Sequence, residues 1–116
     1  MPLLNPWKEF LVTADTTNLL ANDQILGDLG HGTYAVTAVA AAAADGNISV
    51  NDGISAVVSS AAIPLRAAAV TYPEVRKNED RRWIVQYKGR GATLPIDVVD
   101  GTNAEIAVVV EFLGAL

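Results

Sequence analysis

Ala104-Glu-Ile-Ala-Val-Val-Val-Glu-Phe112 decides the fold. In an extended chain Ile106, Val108 and Val110 point one way, while Ala107, Val109 and Glu111 point the other. β-branched residues dominate both sets, which favours a pleated strand over a helix. Both sets are largely apolar, as in a strand deep inside a sheet.

Working back from this strand, Asp100-Gly101 reads as a turn and Thr93 to Val99 as a second strand, with Pro95 near its start. Trp83-Ile-Val-Gln-Tyr87 reads as a third, ended by Lys88-Gly-Arg-Gly91. Leu65 to Tyr72 is an apolar stretch between Pro64 and Pro73, an edge strand or strand start, and Glu74 to Arg82 is a charged loop.

The first half reads two ways. Tyr34-Ala-Val-Thr-Ala-Val39 alternates weakly and runs into five alanines. Ile54, Val57, Val58 and Ala61 match a helical stripe within Gly53 to Ala62. Strands are the reading adopted for both, because the second half needs β partners; the alternative is an α+β chain with short helices at 34–44 and 53–62. Asp45-Gly-Asn-Ile-Ser between them reads as a turn. Residues 1–29 read as an N-terminal arm and irregular segment. Trp7 and Phe10 are its apolar anchors, and Glu9-Phe-Leu-Val-Thr13 can pair briefly as a strand. The expected architecture is mainly β: one antiparallel, jelly-roll-like β-sandwich over residues 30–116 behind an extended arm.

At 116 residues the chain is long enough for one domain with a real core. Half of it is apolar but only 6% aromatic, so that core is built from Val, Ile, Leu and Ala. Charged residues make up 18%, below the usual quarter, and monomers rarely leave large apolar patches uncovered, so burial in an assembly is expected. The absence of cysteine excludes disulfides, thiolate metal sites and thiol nucleophiles. Met1 to Phe10 lacks the pattern of a secretory signal, and the uncharged run Leu29 to Ala44 is too short for a membrane span, so synthesis in the cytoplasm is expected.

Charge is strongly segregated. Between Arg66 and Arg90 seven cationic side chains face three acidic ones, a balance of +4 that leaves −9 for the remainder. The chain as a whole is acidic and Glu74, Glu79 and Asp80 interrupt the basic window, so nucleic acid is not the expected partner. The window reads instead as a docking surface for the protein's own acidic remainder, with Arg76, Lys77, Arg81, Arg82, Trp83 and Arg90 as its contacts.

No pattern reaches the standard of a catalytic, metal or cofactor site. His31 is the only histidine and has no cysteine or second histidine to complete a zinc site; Ser59 and Ser60 have no identifiable base. Gly27 to Gly32 and Gly89 to Gly91 lack the order of a nucleotide-binding fingerprint. Asp45, Asn47, Ser49, Asn51 and Asp52 alternate oxygen donors like a calcium loop, but Val50 and Ala56 stand where its glycine and bidentate acid belong. Ala14-Asp15-Thr16-Thr17 is similar to the Asp-Thr/Ser-Gly motif of small retroviral-type aspartic proteases, and Phe112-Leu113-Gly114 to their late apolar element. Thr17 replaces the motif's glycine, so only Asp15 carries over. No enzymatic activity and no cofactor are expected.

The arm Met1 to Phe10, the short strands punctuated by Gly, Asp and Pro, the segregated charge and the strand Ala104 to Phe112 together resemble small viral and phage structural proteins with a single jelly-roll-like β-sandwich. The resemblance is architectural and spans residues 30 to 116. It implies a minor capsid, vertex or decoration component located in the virion. Such a component would assemble with itself, and with other virion proteins, through its arm and charge-complementary loops. The alternatives are a ligand- or carbohydrate-binding sandwich and, remotely, an aspartic-type hydrolase resting on Asp15.

Overall fold

The computed structural model describes residues 6–21, 23, 26–40, 46–63, 82–89, 93–100 and 106–115. They form seven strands: β1 (Trp7–Val12), β2 (Gly32–Ala40), β3 (Gly46–Asn51), β4 (Ala56–Ala62), β5 (Trp83–Tyr87), β6 (Ile96–Asp100) and β7 (Ile106–Gly114). The only helical element among the described residues is a 3-10 turn, Leu26–Asp28. Two antiparallel sheets, ordered β1-β7-β2-β5 and β4-β3-β6, pack as a sandwich. The expected β-sandwich is therefore present, and the helical alternative is not realised in the described parts of 34–44 and 53–62.

Alternation builds the core. Tyr34, Val36, Ala38 and Ala40 of β2, Ile106, Val108 and Val110 of β7, Val12 of β1, and Val85 and Tyr87 of β5 form the inner face of the four-stranded sheet. Ile48 and Val50, Val58, and Ile96 and Val98 answer them from the three-stranded sheet. β2 and β7 are covered on their other face too: Ala35, Thr37, Val39, Ala107, Val109 and Glu111 are all buried, and Val39, Ala107 and Val109 form a second apolar cluster. This double burial is why β7 reads as a nearly continuous apolar run.

The helical stripe in the fourth strand has a specific origin. β3 pairs Ile48 with Ala61 but Val50 with Val58, so β4 carries an extra residue at Ser59–Ser60. Ser60 adopts a φ of 51°, and its amide donates to Ser49 Oγ at 3.0 Å. This bulge turns Val58 and Ala61 to the same side at a three-residue spacing, which imitates a helix. On an edge strand it also blunts pairing with another chain.

One reading is corrected by the structure. Gly46 to Ser49, expected as part of a turn, lies in β3, the central strand of its sheet. Ile48 and Val50 face the core, whereas Asn47, Ser49 and Asn51 are only partly buried, so the turn-like residues occupy the outer side of a strand. The strand expected within residues 9–13 of the arm is present as β1, which pairs with β7 from Trp7↔Glu111 to Val12↔Ile106. Beyond β1, Leu20 and Leu26 are fully buried in the core. Residues 15–19 run along the edge of β6, with Thr16 and Val98 exchanging backbone bonds of 2.9 and 2.8 Å and Leu19 N donating to Ile96 O at 2.9 Å. The expected strand at 65–72 lies outside the described residues.

The two sheets are fastened at one end by a close backbone approach. Gly53, at φ 93°, follows β3, and a Cβ there would stand 2.2 Å from Gly89 Cα. Lys88 N donates to Asp52 O at 2.7 Å beside it. Gly53→Ala combines left-handed strain with this clash, and a loss of roughly 1–3 kcal/mol in chemical denaturation is expected.

Tyr34 reports on the core directly. It is fully buried, and its hydroxyl donates to Gly30 O at 2.6 Å. Burial, and then neighbouring Tyr87, pushes its phenol from 10.0 up to about 12. The folded state thus holds this proton more tightly than the unfolded one, a stabilisation fully present below pH 10 and lost as pH rises towards 12. At about 1.4 kcal/mol per tenfold change in proton affinity, the loss amounts to roughly 2–3 kcal/mol. In denaturation series across this window, Tyr34→Phe should be less stable at neutral pH by about 1 kcal/mol yet lack this alkaline loss.

Candidate interaction surface

Of the eight residues expected at an interface, four are described. Trp7 opens β1 on the outer face of the four-stranded sheet, opposite Glu111, and is 47% exposed. Phe10 and Trp83 turn inwards and pack, partly buried, against the core. Lys8 lies 5.2 Å from the centroid of the Phe10 ring. Arg82 Nη1 stands 3.6 Å from Glu111 Oε1, placing one cation of the basic window against a buried carboxylate of the same chain. Arg76, Lys77, Arg81 and Arg90 lie outside the described residues.

The apolar surface is more informative than the basic one. Along the row Trp7–Glu111–Ala35–Ile84, the two outer members are exposed and the two inner ones buried. Leu11 accompanies Trp7 on β1, and Ile84 is 49% exposed on β5. At the junction of β3 and β4, Ile54 is 77% exposed and Val57 46%. These positions were readable in part. The inward pattern Trp83, Val85 and Tyr87 leaves Ile84 outside, and an isoleucine directly after Asp52-Gly53 stands in a turn. Period alone could not show that the β4 bulge puts Val57 outside.

That turn is tightly held. Asn51 Oδ1 accepts from Gly53 N at 2.7 Å, and Asp52 Oδ1 accepts from Ile54 N at 2.8 Å and Ser55 N at 2.9 Å. The Ser55 amide, followed by that of Ile54, holds the Asp52 carboxyl below its ordinary value. Of the oxygens that resemble a calcium loop, those of Asn51 and Asp52 cap this turn and those of Asn47 and Ser49 lie on the outer side of β3, while Asp45 lies outside the described residues. Among the described residues no group of three or more His, Asp or Glu side chains converges as a metal site.

The remaining candidates for chemistry also have structural employment. His31 Nε2 donates to Gly89 O, and its ring meets Tyr87 edge-on at 5.8 Å between centroids. Asp15 Oδ1 accepts from Asp100 N at 2.8 Å, fastening residues 15–19 to β6. No described helix is long and apolar enough to cross a membrane.

A small cavity of about 180 Å³ opens beside β1, lined by Pro6, Trp7, Lys8, Asp23 and Leu26. Lys8 Nζ and Asp23 Oδ2 pair across it at 2.9 Å, and Asp23 Oδ1 accepts from Leu26 N at 2.7 Å. Comparison with protein-family models, with curated proteins and with solved structures gave no match.

Glu111 makes the ion pair testable. Its side chain is 7% exposed, so removing the facing cation leaves a poorly solvated carboxylate. Arg82→Ala should cost roughly 1–2 kcal/mol of stability, and Glu111→Gln should recover much of that loss in a double-mutant cycle.

Proposed function

We propose that this chain is a virion structural protein, a minor capsid, vertex or decoration component, whose jelly-roll-like sandwich assembles with copies of itself into a ring or shell. The observation that carries this reading is the exposed apolar surface on separate parts of the molecule: Trp7 and Leu11 on β1, Ile84 on β5, and Ile54 and Val57 at the junction of β3 and β4. Only 18% of the chain is charged, so few ionic groups are available to keep such surfaces apart.

The assembly contact in this proposal differs from one based on charge alone. Arg82 already faces Glu111 within its own subunit, so apolar side chains supply the centre of the contact and the basic window supplies its rim. The arm contributes chiefly through Trp7, since Phe10 turns inwards and packs against the core of its own subunit.

Light scattering across a range of protein and salt concentrations tests the reading. A discrete oligomer that persists at high salt is expected, with rings or shells in negative-stain images. A monomer at every concentration would overturn assembly and favour a small ligand-binding module.

A further inference from the structure

We propose that the N-terminal unit, the described residues from Trp7 to Asp28, is exchanged between copies, so that a neighbour's unit completes each body. The inference rests on the assembly reading and specifies what links the subunits.

The unit holds itself together. Lys8 Nζ pairs with Asp23 Oδ2 at 2.9 Å, Asp23 Oδ1 accepts from Leu26 N at 2.7 Å, and Gly27 N donates to Asp23 O at 3.1 Å. Gly27 packs so closely on Leu20 that an added Cβ would collide with the Leu20 carbonyl oxygen. β1 and the 3-10 turn Leu26–Asp28 are thereby parts of one piece.

Its attachments to the body share one property. β1 pairs with β7, Thr16 exchanges bonds with Val98, and Leu19 N donates to Ile96 O. Asn18 N donates to Asp97 Oδ1 at 2.9 Å, Asp100 N to Asp15 Oδ1 at 2.8 Å, and Thr93 Oγ1 to Gly27 O at 3.0 Å. These partners all lie between Thr93 and Glu111, at the far end of the chain. Between them the core receives Val12, Leu20 and Leu26, all buried, so the body is incomplete without the unit. The chain that fits this slot, bond for bond, is carried by every copy.

The hinge favours exchange over closure. Leu29, Gly30 and His31 join the unit to β2, and the chain bends at Gly30 with a φ of 70°. The Tyr34 hydroxyl donates to Gly30 O at that bend. Among the described residues nothing stands within 4 Å of where a Gly30 Cβ would be, so the hinge is unpacked there. In an exchanged pair these three residues run extended and the left-handed bend is not needed. Short bent hinges invite exchange for this reason. The contacts that Phe10, Val12, Leu20 and Leu26 make in the closed subunit are remade on the neighbour's core.

The chain has no cysteine, so engineered thiols report alone. Leu11 and Ala107 stand opposite each other in the β1–β7 register, within reach of a disulfide. Leu11→Cys and Ala107→Cys are made singly, unfolded together in equal amounts, refolded and oxidised. Exchange predicts a disulfide between positions 11 and 107 of different copies, identified by peptide mapping. Oligomers of wild-type mass that lack this bond would overturn exchange while leaving assembly standing; a monomeric wild type would overturn both. The double variant, with both thiols in one chain, forms the bond in either arrangement, and its failure to oxidise would overturn the pairing on which exchange rests. Adding Gly30→Val to the double variant penalises the bend but not an extended hinge. The ratio of between-copy to within-chain bonds should then rise about fivefold or more, and an unchanged or lower ratio would overturn the hinge.

Discussion

β7 is bonded to β1 along one edge and to β2 along the other, and it is covered on both faces over most of its length. The rest of the four-stranded sheet takes its position from this strand. Its inner residues, Ile106, Val108 and Val110, form the floor of the core, while Ala107 and Val109 belong to the second cluster outside. A polar substitution on either side would meet a dry environment, and Glu111 is accommodated where Arg82 reaches it. Small residues at Ala35 and Ala107 keep that outer surface shallow, which allows close approach without disturbing the pleat.

The legible parts of the fold were those where side-chain period and environment agree. Trp83–Tyr87 and the strand around Val108 alternate in register with their burial, and both emerged from the residues alone. The failure at Gly46–Ser49 has a different cause: Asn47 and Ser49 favour turns when isolated, but here they form the outer side of a strand whose inner side is Ile48 and Val50. The uncertainty at Ile54 to Ala61 came from the Ser59–Ser60 bulge, which shifts the inward period by one residue. A local propensity scale has no access to that shift, since it is set by pairing with β3.

The interaction surface was less legible than the fold. Charge segregation is visible in the chain, but it does not reveal that Arg82 faces Glu111 across the sheet. Aromatic residues attract attention as anchors, yet Phe10 and Trp83 pack partly buried against the core while Trp7 stands on the outer face. Which side of a strand faces outward is a matter of register, and a one-residue difference separates anchor from core.

The position of β7 also bears on how the molecule forms. Trp7 pairs with Glu111, roughly a hundred residues later, and β7 lies between two strands that precede it in the chain. β1 and β2 therefore emerge from the ribosome with the edges that will receive β7 still vacant. The sheet closes by insertion of a late strand into a waiting slot, a non-local step with a high loop-closure cost. Until that step, two apolar strand edges are open to any neighbouring chain, so newly made protein at high local concentration faces a competition between closing its own sheet and pairing with another copy.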